Sequence, residues 1–232
     1  MKKTSLLLFA MLGGASMMPA AEPSKPETKK EEAAGTAQAK EIVLFDGKSL
    51  DDWESVDIGA SGTVELEGGL MIINQGDSVS GAVYKKAASL PVTNYEISLD
   101  AKRLEGVDFF CGLTFPVGSV KTCATLVCGG WGGAVTGISS IDGLDASENG
   151  TSNFVRYEDN KWYAVKVRVT PENLSVWIDG KHLIDQDLKD KKIGVRPGPI
   201  ESYLPLSFTT FATTAAIRNV KLKMLEEPKK TP

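Results

Sequence analysis

Residues 162–188, which read WYAVKVRVTPENLSVWIDGKHLIDQDL, carry the clearest indication of the fold. Apolar residues alternate with more polar ones on both sides of a turn at residues 170–173. The apolar set consists of Tyr163, Val165, Val167 and Val169 before the turn and Leu174, Val176 and Ile178 after it. Because a period of two residues places alternate side chains on one face of a strand, the stretch predicts a β-hairpin with one apolar face. Asp179-Gly180 is typical of a two-residue turn into a third strand.

Short β-rich segments separated by turn residues extend outward from this hairpin over the rest of residues 41–225. No run of ten residues shows the 3.6-residue periodicity of an amphipathic helix, and no internal repeat indicates a propeller or a solenoid. The pattern therefore predicts an all-β domain built as a sandwich of two sheets.

The first 21 residues predict export. Lys2 and Lys3 precede an apolar run from Leu6 to about Met18, and small residues follow at Ala20 and Ala21. This order of charge, apolar run and small residues is typical of a signal peptide, and the run is too short to span a bilayer. We therefore expect a periplasmic or secreted protein with no transmembrane segment in the mature chain.

The remaining flanking segments predict disorder and leave one domain between them. Residues 22–40 contain no aromatic residue and balance their acidic and basic side chains, so they bury too little apolar surface to offset the cost of ordering. We expect a linker there, one domain over 41–225 and a disordered tail over 226–232. The formal charge of −4, with no basic stripe, predicts that nucleic acid is not a partner.

Four stretches of the predicted domain resemble the signatures of a known family. They are LFDGKSLDDW (Leu44–Trp53), NKWYAVKVRV (Asn160–Val169), VWIDGK (Val176–Lys181) and AIRNVKLKML (Ala216–Leu225). In this order they are similar to the 3-keto-disaccharide hydrolase domain family, and the resemblance covers nearly the whole domain. It implies a jelly roll of the concanavalin A or laminin-G type, a carbohydrate ligand, and hydrolysis of a glycoside such as a 3-keto-disaccharide.

Two regions of the chain differ from that family's pattern. Members usually carry a Gly-Tyr-Glu-type strand and a Gly-x-x-His-Gly-like stretch, where this chain reads CATLVCGGWGG and SFTTFATTAAIRN. The single histidine, His182, lies in the Asp179-Gly180 hairpin and does not replace the missing one. The sequence thus leaves two functions open: a glycoside-cleaving enzyme, or a non-catalytic glycan-binding (lectin-like) or envelope scaffold module.

Trp131, between the glycine pairs 129–130 and 132–133, is the first candidate for sugar contact. Glycine lets the backbone adopt conformations that other residues resist and lets a ligand approach closely. An exposed indole on such a loop can stack on the apolar face of a pyranose. The alternative is that Trp131 only caps an open end of the sandwich.

A cluster of carboxylates follows in Asp142, Asp145 and Glu148, beside Asn149. Oxygen ligands at these spacings could gather around a divalent metal such as Ca²⁺, although the spacing does not match an EF-hand loop. They could also bind sugar hydroxyls, and Asp142 and Asp145 are the best candidates for the acid and base of glycoside hydrolysis. The alternative is a solvated polar loop with Asx turns. No cofactor is required by the sequence.

Further sugar-contact candidates lie on the hairpin and before the FFCGLTF strand. Closing the hairpin at Val169 and Leu174 pairs Lys166 with Trp177 and Arg168 with Ser175, which predicts an aromatic and cationic patch on the face opposite the valines. The alternative is an ordinary outer face on which charged stems cover the indole. Asp108 is either a site carboxylate or a turn residue at the edge of its strand.

Three cysteines in an exported chain leave one over when two of them pair. Cys111 and Cys123 flank a turn expected over residues 116–120, which would bring them close to opposition. A Cys111–Cys123 disulfide is therefore the expected bond, with three reduced buried thiols as the alternative.

The spacing between Trp131 and the acidic loop predicts where the candidate site lies. Only one short strand, residues 134–140, separates them, and it contains Gly137 and a pair of serines at which a bend is permitted. We therefore expect the chain to reverse near Gly137, so that Trp131 and at least one of Asp142, Asp145 and Glu148 line a common cleft.

Overall fold

In the computed structural model, which describes residues 40–226, the chain folds into two antiparallel sheets. The strands of this part, in chain order, are β1 (Glu41–Phe45), β2 (Trp53–Ser55), β3 (Val64–Glu67), β4 (Leu70–Ile73), β5 (Ser80–Tyr84), β6 (Tyr95–Gly106), β7 (Cys111–Ser119), β8 (Thr122–Gly129), β9 (Val135–Ser139), β10 (Asn153–Phe154), β11 (Tyr163–Val169), β12 (Asn173–Ile178), β13 (Lys181–Asp187), β14 (Ser207–Thr210) and β15 (Thr213–Met224). One helical turn, Gly130–Gly133, and two short 3₁₀ helices, Ala87–Ser89 and Pro199–Tyr203, complete the described elements.

The first sheet has the strand order β13-β12-β11-β6-β15-β4-β3, and β1 also pairs with β15. The second sheet has the order β10-β9-β8-β7-β14-β5-β2. The long strands β6 and β15 lie side by side in the first sheet, while β7, β8 and β9 form a meander in the second. All of these pairings are antiparallel, as the all-β sandwich predicted from the sequence requires.

The core lies between the two sheets because alternate residues of each strand point inward. On β11 the inward residues are Tyr163, Val165, Val167 and Val169, all buried. On β8 the buried inward set is Ala124, Leu126 and Cys128, within the same hydrophobic cluster. Burying a large apolar side chain contributes about 1.5–3 kcal/mol relative to leaving it exposed, so this shared layer holds the sheets together.

The predicted fold class, a two-sheet jelly roll, is confirmed. The hairpin register is also as predicted, since Lys166 lies opposite Trp177 and Arg168 opposite Ser175. The signal peptide predicted over 1–21, the linker over 22–40 and the tail over 226–232 lie outside the described residues, apart from residues 40 and 226. Within the described range, no helix has the length and apolar character needed to cross a bilayer.

Candidate functional site

A cleft of about 480 Å³ lies on the outer face of the second sheet. Its floor is formed by β8 and β9, where Thr125, Val127 and Ser139 point away from the core while their neighbours point into it. The lining consists of Val79, Asp108, Phe109, Thr125, Val127, Trp131, Ser139, Arg196, Pro197, Pro199, Ile200 and Phe211. Most of these side chains are apolar or aromatic, with few polar groups among them, as in many small-molecule sites.

One wall of the cleft is formed by residues 195–203, which fold back over the outer face of the sheet and are called the covering segment here. In it, Ile200 and Tyr203 pack with Val79 in a small hydrophobic cluster separate from the main core. The Tyr203 hydroxyl donates to the carbonyl oxygen of Val79 at 2.9 Å, and the Val56 carbonyl oxygen lies within hydrogen-bond distance of it at 3.2 Å. These contacts hold the segment in place, so the cleft beside it has a fixed wall.

The opposite wall is the glycine-rich loop that carries Trp131. Trp131 has a φ of +50° and its side chain is 41% exposed. A tryptophan in this left-handed region is strained, and such residues persist only where surrounding contacts hold them. Gly129 and Gly132, also at positive φ, allow the loop to turn tightly on both sides of the indole.

Asp108 supplies the contact that holds this loop. One carboxylate oxygen accepts a hydrogen bond from the Gly132 N–H at 3.0 Å, and the other accepts one from the Phe109 N–H at 2.8 Å. Asp108 thus lines the cleft with Trp131, as a carbohydrate-contact hypothesis requires. It also anchors the Trp131 loop, a role that the sequence did not predict.

The sequence did not predict three of the residues that line the cleft: Phe109, Phe211 and Arg196. Phe109 and Phe211 stack with ring centroids 6.3 Å apart and, with Trp131, give the cleft three aromatic side chains. Arg196 lies in the covering segment, and its Nε is 3.5 Å from an Asp145 oxygen. These residues come from distant parts of the chain and follow no strand periodicity; the Pro-Gly-Pro run after Arg196 was the one local sign of an irregular wall.

The acidic loop lies beside the cleft and does not line it. Asp145 reaches the cleft wall indirectly, because it accepts a hydrogen bond from the Ser139 hydroxyl at 2.8 Å and pairs with Arg196. Asp142 accepts hydrogen bonds from Lys191 Nζ and from the Lys192 N–H, both at 2.9 Å. The Lys191 side chain, followed by the Lys192 N–H, lowers the pKa of Asp142 below its ordinary value.

The reversal expected near Gly137 is wrong. β9 continues straight through Gly137 to Ser139, and the chain reverses at Ile141 and Leu144, whose N–H and carbonyl groups bond each other. Gly137 is needed for another reason, since a Cβ there would lie 2.9 Å from the Ala146 carbonyl oxygen. The returning segment therefore packs on β9 where a side chain would otherwise stand.

Asp142, Asp145 and Glu148, the carboxylates predicted for catalysis or metal binding, each bond to different groups of the protein. Glu148 bonds to the Asp145 N–H at 3.4 Å, while Asp142 is tied to lysines of another loop. Of the described carboxylates, only Asp108 is among the cleft-lining residues, so the common cleft expected for Trp131 and the acidic loop does not form. Within residues 40–226 no group of three or more acidic, cysteine or histidine side chains is placed to hold a metal ion. A calcium requirement stays a prediction.

The patch of Lys166, Arg168 and Trp177 lies on the outer face of the first sheet, away from the cleft on the second. Lys166 Nζ is 4.2 Å and Arg168 Cζ 5.1 Å from the Trp177 ring centroid. His182 stacks on the same indole at 4.5 Å, and Glu96 pairs with the arginine at 2.6 Å. The indole is therefore partly covered by side chains of the protein itself, and it also borders a groove of about 660 Å³ on this face.

The Cys111–Cys123 disulfide is wrong. Cys111 lies opposite Cys128, Cys123 lies opposite Pro116, and all three thiols are free and buried. The reason is that β7 continues through Pro116 to Ser119, so the hairpin turns later than expected. Hydrogen bonding to Cys128 and burial raise the pKa of Cys111 well above its usual value, and burial raises the pKa of Cys123 to about 11.

A family model described as the 3-keto-alpha-glucoside-1,2-lyase-like domain matches residues 40–223. This range contains both sheets except the last residue of β15, and it includes every residue that lines the cleft. No curated protein is significantly similar to the chain.

Solved structures share the fold at low sequence identity. A putative glycosyl hydrolase from Parabacteroides distasonis ATCC 8503 superposes with a TM-score of 0.52 and 17% identity, over 80% of this chain and 94% of that one. A structure of the Crh5 transglycosylase in complex with NAG superposes with a TM-score of 0.55 and 12% identity, over 83% of this chain and 86% of that one. At these identities the likeness shows a common sandwich fold.

Proposed function

Because the chain belongs to the family of 3-keto-alpha-glucoside-1,2-lyase-like domains, we propose that it binds a glycoside in the cleft of the second sheet. The observation that carries the proposal is Trp131 at the wall of that cleft: its backbone is strained and its indole is partly exposed. The cleft offers aromatic side chains on which a sugar ring, the ligand that family membership implies, can stack.

The chemistry of the lining suits a pyranose ring. One face of such a ring is made of C–H groups, which lose water favourably against an indole or phenyl surface. Its hydroxyls need donors and acceptors, and the exposed guanidinium of Arg196 supplies donors at the cleft wall. Thr125 and Ser139 lie at the floor, where they are buried and their hydroxyls bond to Thr114 and Asp145. Since most of the lining is apolar, the Arg196 donors would fix the orientation of the ring.

Hydrolysis of a 3-keto-disaccharide is the second candidate, favoured by family membership. Glycoside hydrolysis requires a proton donor and a base or nucleophile on opposite sides of the bond. Asp108 is the carboxylate of the lining, but both of its oxygens accept backbone N–H groups of the loop it anchors. The regions where members carry the glutamate and histidine supply Val127 and Phe211 to this cleft. The geometry therefore favours binding over hydrolysis.

Calorimetric titration of the full chain with gluco-disaccharides and 3-keto-disaccharides, with and without divalent metal, tests the proposal. Trp131→Ala removes the cleft indole, and Trp177→Ala is the matched control because it makes the same change on the other sheet. We expect Trp131→Ala to weaken binding by about tenfold or more and Trp177→Ala to leave it unchanged.

Equal affinities of Trp131→Ala and the unaltered protein would contradict the proposed site. Chromatography of the same mixtures after long incubation separates the two candidate functions. Free monosaccharide or an eliminated product would establish catalysis, whereas recovered intact ligand would establish binding alone. The predicted export of the protein is tested separately, by locating it in cell fractions.

A further inference from the structure

A second groove, of about 470 Å³, lies on the other side of the glycine-rich loop from the cleft. Gly132, Gly133 and Ala134 form its near wall, and Phe154 and Arg156 line its far side. The loop therefore separates two concave regions of the surface: Trp131 lines the first, and the glycines after it line the second.

Phe154 is a large apolar residue whose ring is largely exposed to solvent. Its side chain is 85% exposed, whereas Tyr157, further along the same segment, is buried against Phe110 and Tyr163. It stands on β10, the two-residue edge strand of the second sheet. Val107, at 69% exposure, lines the same groove, so the groove carries two exposed apolar side chains. Clustered exposed apolar side chains commonly mark binding surfaces.

The two regions are one strand apart. Phe154 lies opposite Val135, which in turn bridges to Gly130 at the base of the Trp131 loop. The Val155 N–H donates to the Ala134 carbonyl at 2.8 Å, which fixes the edge strand to that loop. Trp131 and Phe154 are therefore held in a fixed relation by backbone hydrogen bonds.

The loop between the two aromatic residues leaves room for a ligand to cross it. A side chain at Gly132 would meet no atom within 4 Å, so this position faces open space. Gly132 and Gly133 both have positive φ, which favours glycine here, and they leave the crossing without side chains. A chain of sugar units could thus rest on backbone between one aromatic platform and the next.

Polar groups of the groove suit hydroxyl-bearing units. Arg103 is nearly buried, and it is held by Asp159 and by the Tyr157 carbonyl, to which its Nη2 donates at 3.1 Å. Arg156 is exposed in the same wall, where its guanidinium presents several donors to a ligand.

We propose that the groove is a second subsite, and that the ligand is an oligosaccharide chain that crosses the glycine-rich loop from Trp131 to Phe154. This inference rests on the proposed function of the cleft. It assigns Phe154 as the residue that determines the preference for longer chains, because a disaccharide seated on Trp131 would leave the groove empty.

The test is calorimetric titration of the full chain with gluco-oligosaccharides from disaccharide to hexasaccharide. The unaltered protein binds the hexasaccharide about tenfold more tightly than the disaccharide, and Phe154→Ala loses this gain. Leu66→Ala, which shortens an exposed side chain on an edge strand of the other sheet, keeps it. Circular dichroism and thermal unfolding confirm that each variant is folded.

The inference is overturned if the unaltered protein binds both ligands equally, or if Phe154→Ala retains the full gain. It is also overturned if Phe154→Ala converts a dimer into a monomer in sedimentation, since the patch would then join copies of the chain. Failure of the cleft itself gives a different result: Trp131→Ala would bind the disaccharide as well as the unaltered protein does.

Discussion

The outer faces of the two sheets both carry tryptophan, and they differ in what covers the indole. On the first sheet, Arg218 Cζ lies 4.0 Å from the Trp162 ring centroid, and Lys166 Nζ lies 4.2 Å from that of Trp177. On the second sheet, Trp131 is 41% exposed, and no cation or aromatic ring of residues 40–226 stacks on it. A cation over a ring occupies the surface on which a ligand would stack.

This difference shows that an aromatic residue among charges does not by itself make a site. Lys166 and Arg168 both pair with Glu96 of the neighbouring strand and lie over Trp177, so that indole is partly covered by its own neighbours, although it also borders a groove of about 660 Å³. The second face instead places chain segments over its floor and leaves a gap between them. The functional candidate is the indole that the protein itself leaves uncovered.

The largest loss of stability is expected from adding a side chain at Gly137, on the outer face of the second sheet. Gly137→Val would press its side chain into the Ala146 backbone, because even a Cβ there would lie 2.9 Å from the carbonyl oxygen. We expect it to lower the free energy of unfolding by about 1–3 kcal/mol in urea denaturation. The matched change on the first face is Ala164→Val, at an exposed position of β11, which should alter stability by less than about 0.5 kcal/mol. Equal losses in the two variants would contradict the close packing of Ala146 against β9.

A smaller effect is expected from the carboxylate that anchors each face. Asp108→Ala leaves the N–H groups of Phe109 and Gly132 without their acceptor, so it should cost about 1–2 kcal/mol of stability and weaken glycan binding about tenfold. Asp108→Asn retains one acceptor oxygen, so its losses of stability and affinity should lie between those of Asp108→Ala and the unaltered protein. Glu96→Ala removes the anchor of the first face and should leave glycan affinity unchanged. A loss of affinity in Glu96→Ala equal to that in Asp108→Ala would break the distinction between the faces.

The smallest effect concerns Asp142, which contacts neither face. Since Lys191 and Lys192 lower its pKa below the ordinary 3.8, the carboxylate contributes stability at pH values above 3.8 and loses it as the pH falls through the lowered value. Asp142→Asn should therefore unfold at a slightly lower temperature at neutral pH, and the difference should vanish in strong acid. Lys191→Met should give the same profile. A difference that persists in strong acid would contradict the ion pair, and a loss of glycan affinity would return Asp142 to the site.

The fold could be predicted because it depends on local alternation. The valines of β11 and the turn at residues 170–173 specify which residues face each other, and the structure gives the same pairs. The two errors involve residues whose conformational role depends on distant chain. Pro116 resembles a turn signal but lies within β7, and Gly137 resembles a bend but accommodates Ala146.

The candidate site was predictable only in part. Trp131 could be recognised from its flanking glycines, which supply the positive φ angles that the loop requires. Phe211 and Arg196 reach the same cleft from other segments, and no spacing in the sequence joins them. Whether a ring is covered depends on cross-strand neighbours, so the sequence alone could propose both Trp177 and Trp131 as sugar contacts.

Nuclear magnetic resonance can locate the ligand by following the indole N–H signals of the four tryptophans during titration with a gluco-oligosaccharide. Trp53 serves as an internal reference because it is buried and its Nε1 donates to the Leu44 carbonyl at 3.0 Å. We expect the Trp131 signal to shift with saturation while those of Trp162 and Trp177 stay in place. A saturating shift of Trp177 with an unmoved Trp131 would contradict the assignment of the site to the second sheet.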